Sequence, residues 1–240
     1  MMGIQKKSDL IEVSFYMIKK YSHYFNNRLE LFLTKSEDYW DKNSKSRKDR
    51  ILSYVNYEKT NLIMPHQVHG DKVVVIAEDS KDIECDGIIY NGKSDLVGAI
   101  NVADCIPVCV YDYNNNYIAL IHSGWRGTIK KIVIKTVYKM LKLGAKKNSL
   151  GVFIGPSIRG CCYQVENFFA SKFDDSCIIE KDGVFFVDLA SQLLQDLKDE
   201  SILKKNIFID KSCTFDSPSL HSYRRDKSKS GRMSLVAYMK

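Results

Sequence analysis

Ala119-Leu120-Ile121-His122-Ser123-Gly124-Trp125-Arg126-Gly127-Thr128 takes the chain from an apolar, strand-like run through a histidine into a turn of small residues. The spacing then predicts one long amphipathic helix after Gly127. Ile129, Ile132, Val133, Val137, Met140 and Leu141 fall on one stripe, lysines occupy the other face, and Gly144 supplies the stop. A histidine at the end of a strand, beside two glycines and an arginine, is well placed to meet a ligand.

Working outward, the neighbouring stretches have a β texture. Asn61 to Met64 and Asp71 to Ala77 read as buried strands on either side of His66-Gln67-Val68-His69-Gly70. Ile88 to Tyr90, Leu96 to Ala103, Val108 to Tyr111 and Tyr117 to His122 follow as short strands, with Asn91-Gly92 and Asn114-Asn115-Asn116 as turns. Pro107 interrupts the run, so Asp104 and Cys105 are expected at a bend. Downstream come a strand at Gly151 to Ile154, a short helix through Phe168 and Phe169, and a hairpin around Lys181-Asp182-Gly183. A helix from Leu189 to Leu197, strands at Asn206 to Asp210 and Met233 to Met239, and a basic loop from Ser222 to Arg232 complete this part. Before residue 61 the apolar stretches Ile11 to Ile18 and Leu29 to Thr34 read as two strands or as a strand and a loop, followed by a polar loop from Ser36 and a helix over Ser46 to Asn56. Strands and helices interleave without a strict βαβ rhythm. That favours an α+β chain, a mixed α/β sandwich in a single domain over 1–240, rather than a doubly wound sheet.

A chain of 240 residues with 45% apolar and 27% charged residues can bury a globular core. Met1 to Ile11 lacks a signal-peptide core, and no apolar run is long enough to span a bilayer. The seven cysteines are irregularly spaced, which fits reduced thiols in a cytoplasmic protein without membrane attachment. The formal charge of +7 is spread over scattered lysines, and no helix-turn-helix, zinc-finger or RNP pattern accompanies it. Nucleic acid is therefore not the expected partner, and a small anionic substrate suits the charge.

Of five histidines, His69 and His122 lie in small-residue turns next to β-rich segments, and Cys105 shares that setting. Two histidines and a cysteine form a borderline-soft set suited to zinc or copper, with a position left open for water or substrate. The same residues also admit a nucleophilic Cys105 activated by a histidine that Asp104 or another carboxylate orients. Gly124, Gly127, Gly155 and Gly160 read either as turn formers at positive φ or as places where backbone N–H groups and Arg126 face an anion. Arg224, Arg225 and Arg232 add three guanidinium groups whose planes match phosphate or carboxylate, or stack on a base. The adjacent Cys161 and Cys162 read as packing residues, since strain disfavours a disulfide between neighbours.

Five pieces occur in a characteristic order over 61–240. They are Gln67-Val68-His69-Gly70, Ala103-Asp104-Cys105-Ile106-Pro107, His122-Ser123-Gly124-Trp125-Arg126-Gly127, Gly155-Pro156-Ser157-Ile158 with Cys162-Tyr163-Gln164-Val165, and Ser222-Tyr223-Arg224-Arg225-Asp226 with Gly231-Arg232-Met233. Together they resemble the YfiH family, also called laccase-domain or multicopper polyphenol oxidase-like proteins. The resemblance implies a mixed α/β sandwich with His69, Cys105 and His122 as ligands of a catalytic metal, usually zinc, with copper as the alternative. It implies Arg225 as the phosphate or nucleoside arginine, with Arg126 and Gln67 as further substrate-binding residues. The implied chemistry is phosphorolysis of adenosine, inosine, guanosine and methylthioadenosine, together with adenosine deamination; the sequence leaves the oligomeric state open, with a monomer favoured. A copper polyphenol oxidase and a cysteine hydrolase editing a peptidoglycan precursor are the alternatives. Residues 1–60 lack the glycine-rich and Asn-Leu segments common in relatives, and Ser123 stands where alanine is usual.

Overall fold

The computed structural model describes residues 18–34, 47–55, 61–76, 82–93 and 95–239. In chain order the elements begin with β1 (Ile18–Lys20), β2 (Leu29–Thr34), α1 (Arg47–Tyr54), β3 (Asn61–Ile63), β4 (Val73–Val75) and β5 (Gly87–Asn91). Then come β6 (Leu96–Val102), β7 (Ile106–Asp112), β8 (Tyr117–Ser123), α2 (Trp125–Ile129), α3 (Ile132–Lys142), β9 (Leu150–Ile154), β10 (Gln164–Val165) and α4 (Asn167–Ala170). The last are β11 (Ile178–Lys181), β12 (Val184–Val187), α5 (Leu189–Asp199), β13 (Ile207–Ile209), α6 (Tyr223–Asp226) and β14 (Met233–Met239). The strand expected at Ile11 to Ile18 and the loop from Ser36 lie almost wholly outside the described residues. Among the described residues no helix is long and apolar enough to cross a membrane.

Two mixed sheets carry the fold. One has the order β1-β2-β14-β6-β3, the other β13-β9-β7-β8-β5-β4, and β10-β12-β11 form a small third sheet. Alternation along the strands explains the layers, because successive side chains point to opposite faces. Leu29, Leu31, Leu33, Ile100 and Leu235 of the first sheet meet Ile88, Tyr90, Tyr111, Ile118 and Leu120 of the second in one apolar cluster. The intervening residues of the second sheet, such as Val108, Val110, Ala119 and Ile121, pack instead on Ile132, Val137 and Met140 of α3 and Leu193 and Leu197 of α5. On the outer face of the first sheet, Phe32, Val97 and Val236 bury Ile51 of α1. Each fully buried Leu or Ile contributes roughly 1.5–3 kcal/mol, so these clusters dominate the cohesion of the layers. The expected mixed α/β sandwich is what forms.

Tyr90 pins the two sheets together. Its hydroxyl donates to the Ala237 carbonyl at 2.7 Å, and a Cβ on Gly98 would sit 2.5 Å from that hydroxyl. Gly98 is therefore a space requirement: β6 has no side chain there because a phenol from the other sheet fills the gap.

Three readings need correction. The single helix after Gly127 is two, α2 and α3, because Lys131 between them takes a left-handed backbone with φ of 56°. Hydrophobic spacing runs on through the break, since Ile129 and Ile132 both pack on the same cluster, so periodicity alone does not register it. The basic loop at Ser222 to Arg232 contains α6, capped by the Ser222 hydroxyl, which accepts from the Arg225 N–H at 3.2 Å. The bend expected at Asp104 and Cys105 forms, but Pro107 falls inside the central strand β7, which starts at Ile106 rather than Val108. That bend carries the chain from one sheet to the other.

Candidate metal centre

Strand register assembles the site. β8 lies between β5 and β7. Gly87 pairs with Ile121, which brings Asp86 beside His122; on the other side Pro107 pairs with His122, and Ile106 with Ser123. Cys105 therefore arrives opposite Gly124, where a Cβ would stand 3.0 Å from its Sγ. Glycine at 124 leaves room for the thiol, and that explains it better than backbone freedom does. Gly127, Gly155 and Gly160 likewise face close neighbours, and none of the four has a positive φ. The left-handed residues near the site are instead His69, with φ of 58°, and Asp104, with φ of 82°. Such backbone is uncommon for non-glycine residues and costs on the order of 1–3 kcal/mol each, so the surrounding contacts must hold it.

Asp86 provides the contacts for His69. It is fully buried, and its carboxylate accepts from the backbone N–H groups of Val68 at 3.3 Å, His69 at 3.0 Å and Gly70 at 2.6 Å. The same group lies 2.7 Å from Nδ1 of His122. One carboxylate thus shapes the turn that presents His69 and orients the ring of His122. The ionised Asp86 holds a proton on Nδ1 of His122 and so turns Nε2 toward His69 and Cys105, where a metal would have to displace the second ring proton. In the sequence Asp86 shows only as the start of a short strand, and its role depends on the register that sets the head of β5 beside His122. Asp104, proposed as an orienting carboxylate, is engaged elsewhere. It accepts from the Thr214 hydroxyl and the Arg224 N–H, both at 2.6 Å, and so ties the tail to the bend before Cys105.

The ligand atoms of His69, Cys105 and His122 lie within 4.8 Å of one another, and the two imidazole rings stand edge-on at 4.7 Å. A borderline-soft donor set this close fits one zinc or copper ion. Electrostatics agree. Burial opposes ionisation of Cys105, but its hydrogen bonds with His122 and His69 bring the thiol down to about 7. Burial disfavours a charged His122, yet hydrogen bonds with Asp86 and Cys105 push it up to about 9. In metal-free protein, alkylation of Cys105 is therefore expected to rise with pH about a midpoint near 7, and added zinc should suppress it; a midpoint near that of an ordinary thiol would refute this. The stability sign follows. The Cys105 contribution is lost as pH falls through about 7, and the His122 contribution as pH rises through about 9. Between those values the two change in opposite directions, Cys105 gaining as His122 loses, so the pair sets no stability maximum there.

The three residues open on a cavity of about 730 Å³, also lined by Gln67, Trp125, Tyr163, Tyr223, Arg224, Lys227 and Arg232. That volume suits a small organic ligand. Of the residues expected to bind substrate, Gln67 reaches the lining but spends its amide on the backbone of Asn101, donating at 2.8 Å and accepting at 2.7 Å. Arg126 is exposed and stacks on Trp125 at 4.4 Å, outside the lining. Arg225 is also outside it. Its guanidinium donates to the Asp226 carboxylate and to the carbonyls of Thr214, Phe215, Ser217 and Leu220, so it organises the 214–220 loop. Its neighbour Arg224 lines the cavity instead, lying over Tyr163 at 5.1 Å with one donor on the Gln164 carbonyl at 2.9 Å.

Comparison with known proteins places the fold and the chain. The chain is 33% identical over 182 residues to a purine nucleoside phosphorylase of Aquifex aeolicus, covering 75% of this chain and 84% of that one. It is 36% identical over 175 residues to one of Clostridium acetobutylicum, covering 70% and 72%. Bacillus licheniformis YfiH superposes with a TM-score of 0.79 at 22% identity, covering 89% of this chain and 94% of that one. YlmD of Geobacillus stearothermophilus does so with a TM-score of 0.77 at 19% identity, covering 89% and 92%. Residues 30–240 match the model of the multi-copper polyphenol oxidoreductase laccase family. With sandwich, motifs and relatives in agreement, this chain belongs to that family, of which YfiH is a structural representative.

Proposed function

We propose that the chain is a purine nucleoside phosphorylase whose reaction takes place in the cavity bounded by His69, Cys105 and His122. The observation that carries this is the convergence of a metal-type donor set and an unsaturated cationic surface on one cavity. Arg224 and Arg232 each bind protein carbonyls through a single terminal nitrogen, and Lys227 joins them in the lining. Their remaining N–H groups are available to bind and orient inorganic phosphate. Tyr163, Tyr223 and Trp125 offer rings against which a purine can stack.

In this reading phosphate oxygen attacks the ribosyl carbon, the carbon–nitrogen bond breaks, and the purine leaves with a proton. Cationic side chains hold the attacking phosphate in line, which removes the entropy of bringing two solutes together. Burial pushes the Tyr163 phenol up to about 12, so it keeps its proton at neutral pH and is the hydroxyl we assign to donate toward the departing base. His69, Cys105 and His122 would hold a zinc ion, which when bound would supply the Lewis acidity that adenosine deamination requires. Adenosine, inosine, guanosine and methylthioadenosine are the proposed substrates, in a monomeric, cytoplasmic enzyme.

Phenol oxidation has less support. Reducing dioxygen to water calls for several coppers and many histidines. The whole sequence has five histidines, and among the described residues one cluster contains any of them. The test is product analysis with inosine. Base and ribose 1-phosphate should appear only when phosphate is present, and Arg224→Ala should raise the phosphate KM by about tenfold with a smaller change in kcat. Base release that ignores phosphate would contradict the proposal.

A further inference from the structure

Outside this centre a second group of sulfurs converges. Cys161 and Cys162 lie between β9 and β10, and Cys213 lies between β13 and α6. A backbone bridge from Ser157 to Cys213 holds the two segments side by side. All three Sγ atoms fall within 4.8 Å of one another, and those of Cys161 and Cys162 are 3.2 Å apart. The three are free thiols, buried at Cys213, half-buried at Cys162 and exposed at Cys161. The group is thus anchored inside the protein and open to solvent on one side. The reading of Cys161 and Cys162 as mere packing residues does not survive, since a packing cysteine does not leave its sulfur at the surface beside two others.

We propose that Cys161, Cys162 and Cys213 form a second metal site, one that takes a soft thiophilic cation, monovalent copper in the first place. The donor set carries the choice. Three sulfurs with no histidine or carboxylate in the group favour a soft ion over the borderline ions suited to the histidine-containing centre. Three thiolates complete a trigonal shell, whereas zinc in a structural site normally takes four ligands. A disulfide uses the group less well, because joining adjacent cysteines is strained and any pairing leaves one sulfur over. Local electrostatics favour a thiolate at Cys213 alone, since burial raises the Cys161 thiol and pushes that of Cys162 up to about 12, so a cation must displace those two protons. Burial alone would raise the Cys213 thiol, but backbone donors at Arg159 and Asp216 and the neighbouring thiols lower it. The buried Arg159 guanidinium also interacts electrostatically with Cys161 and Cys213. Each thiol releases its proton to solvent on coordination, and no electron is transferred.

The site stands apart from the proposed nucleoside chemistry and can be tested separately. The full-length chain carrying Cys105→Ser, which removes the sulfur of the first centre, is reduced and titrated anaerobically with Cu(I) against a colorimetric Cu(I) chelator. It should hold one equivalent, and adding Cys161→Ser and Cys162→Ser should weaken binding by at least about tenfold. A Cys105→Ser chain that takes no Cu(I), or a triple variant that binds as tightly, would overturn the proposal. A second readout needs no variant: alkylation of the wild-type protein, mapped by mass spectrometry. Cu(I) should protect Cys161 and Cys162, and zinc should protect them less. Equal labelling with and without Cu(I), or protection by zinc alone, would overturn the copper assignment.

Discussion

Replacing His122 by alanine is expected to lower kcat/KM for phosphorolysis by more than about a hundredfold and to reduce bound zinc. Changes to residues that merely support a metal ligand typically cost about 10–100-fold, so loss of the ligand itself should exceed that. His122 is also the residue through which the other parts of the centre communicate. It is 2.7 Å from Asp86, edge-on to His69, and hydrogen-bonded to Cys105. Metal content by elemental analysis, steady-state kinetics with inosine and phosphate, and a thermal melt to confirm folding measure the effect together. A folded variant that keeps its metal and works within about threefold of wild type would show that His122 is not a ligand.

Asp86→Ala should be the most damaging single change to stability. It leaves the N–H groups of Val68, His69 and Gly70 and Nδ1 of His122 without their acceptor in a buried place. Removing one member of a buried charged network costs about 3–5 kcal/mol, a large part of the stability of a typical domain. Asp86→Asn keeps the shape and one acceptor oxygen, so it should fold. It should nonetheless bind zinc about 10–100-fold more weakly, since an amide neither holds the Nδ1 proton as firmly nor enhances the basicity of Nε2. Acid should mimic the change. Burial would raise the Asp86 carboxyl, but the bonds from His122 and Gly70 hold it below the usual carboxylate range. Its stabilisation is therefore present above the unfolded value of about 4 and is lost as pH falls through the lower folded value. Denaturant titration and chelator competition separate the two effects. An Asp86→Ala chain as stable as wild type would remove Asp86 from its central place.

The strands of the sandwich were legible because buried β runs such as Ile118 to Ile121 and Val108 to Tyr111 announce themselves by composition. The candidate donor cluster was legible for a related reason: His69, Cys105 and His122 sit where apolar runs give way to small residues. Three features were not. Lys131 breaks the helix by the sign of one dihedral, which hydrophobic spacing does not encode. Asp86 lies in no motif, and its role exists only once β5 and β8 are in register. The choice between Arg224 and Arg225 is one of direction. Successive residues of a helix point about 100° apart, so Arg225 turns to the 214–220 loop while Arg224 reaches the cavity, and a string of letters does not distinguish them.

The claim on which the rest depends is that His69, Cys105 and His122 share one metal ion beside the cavity they line. Anomalous diffraction at the zinc edge from crystals of the zinc-loaded protein tests it most directly. The account predicts a peak about 2.0–2.3 Å from a nitrogen of each imidazole and from the sulfur of Cys105, facing Arg224 across the cavity. Well-ordered side chains at all three positions with no peak between them would contradict it.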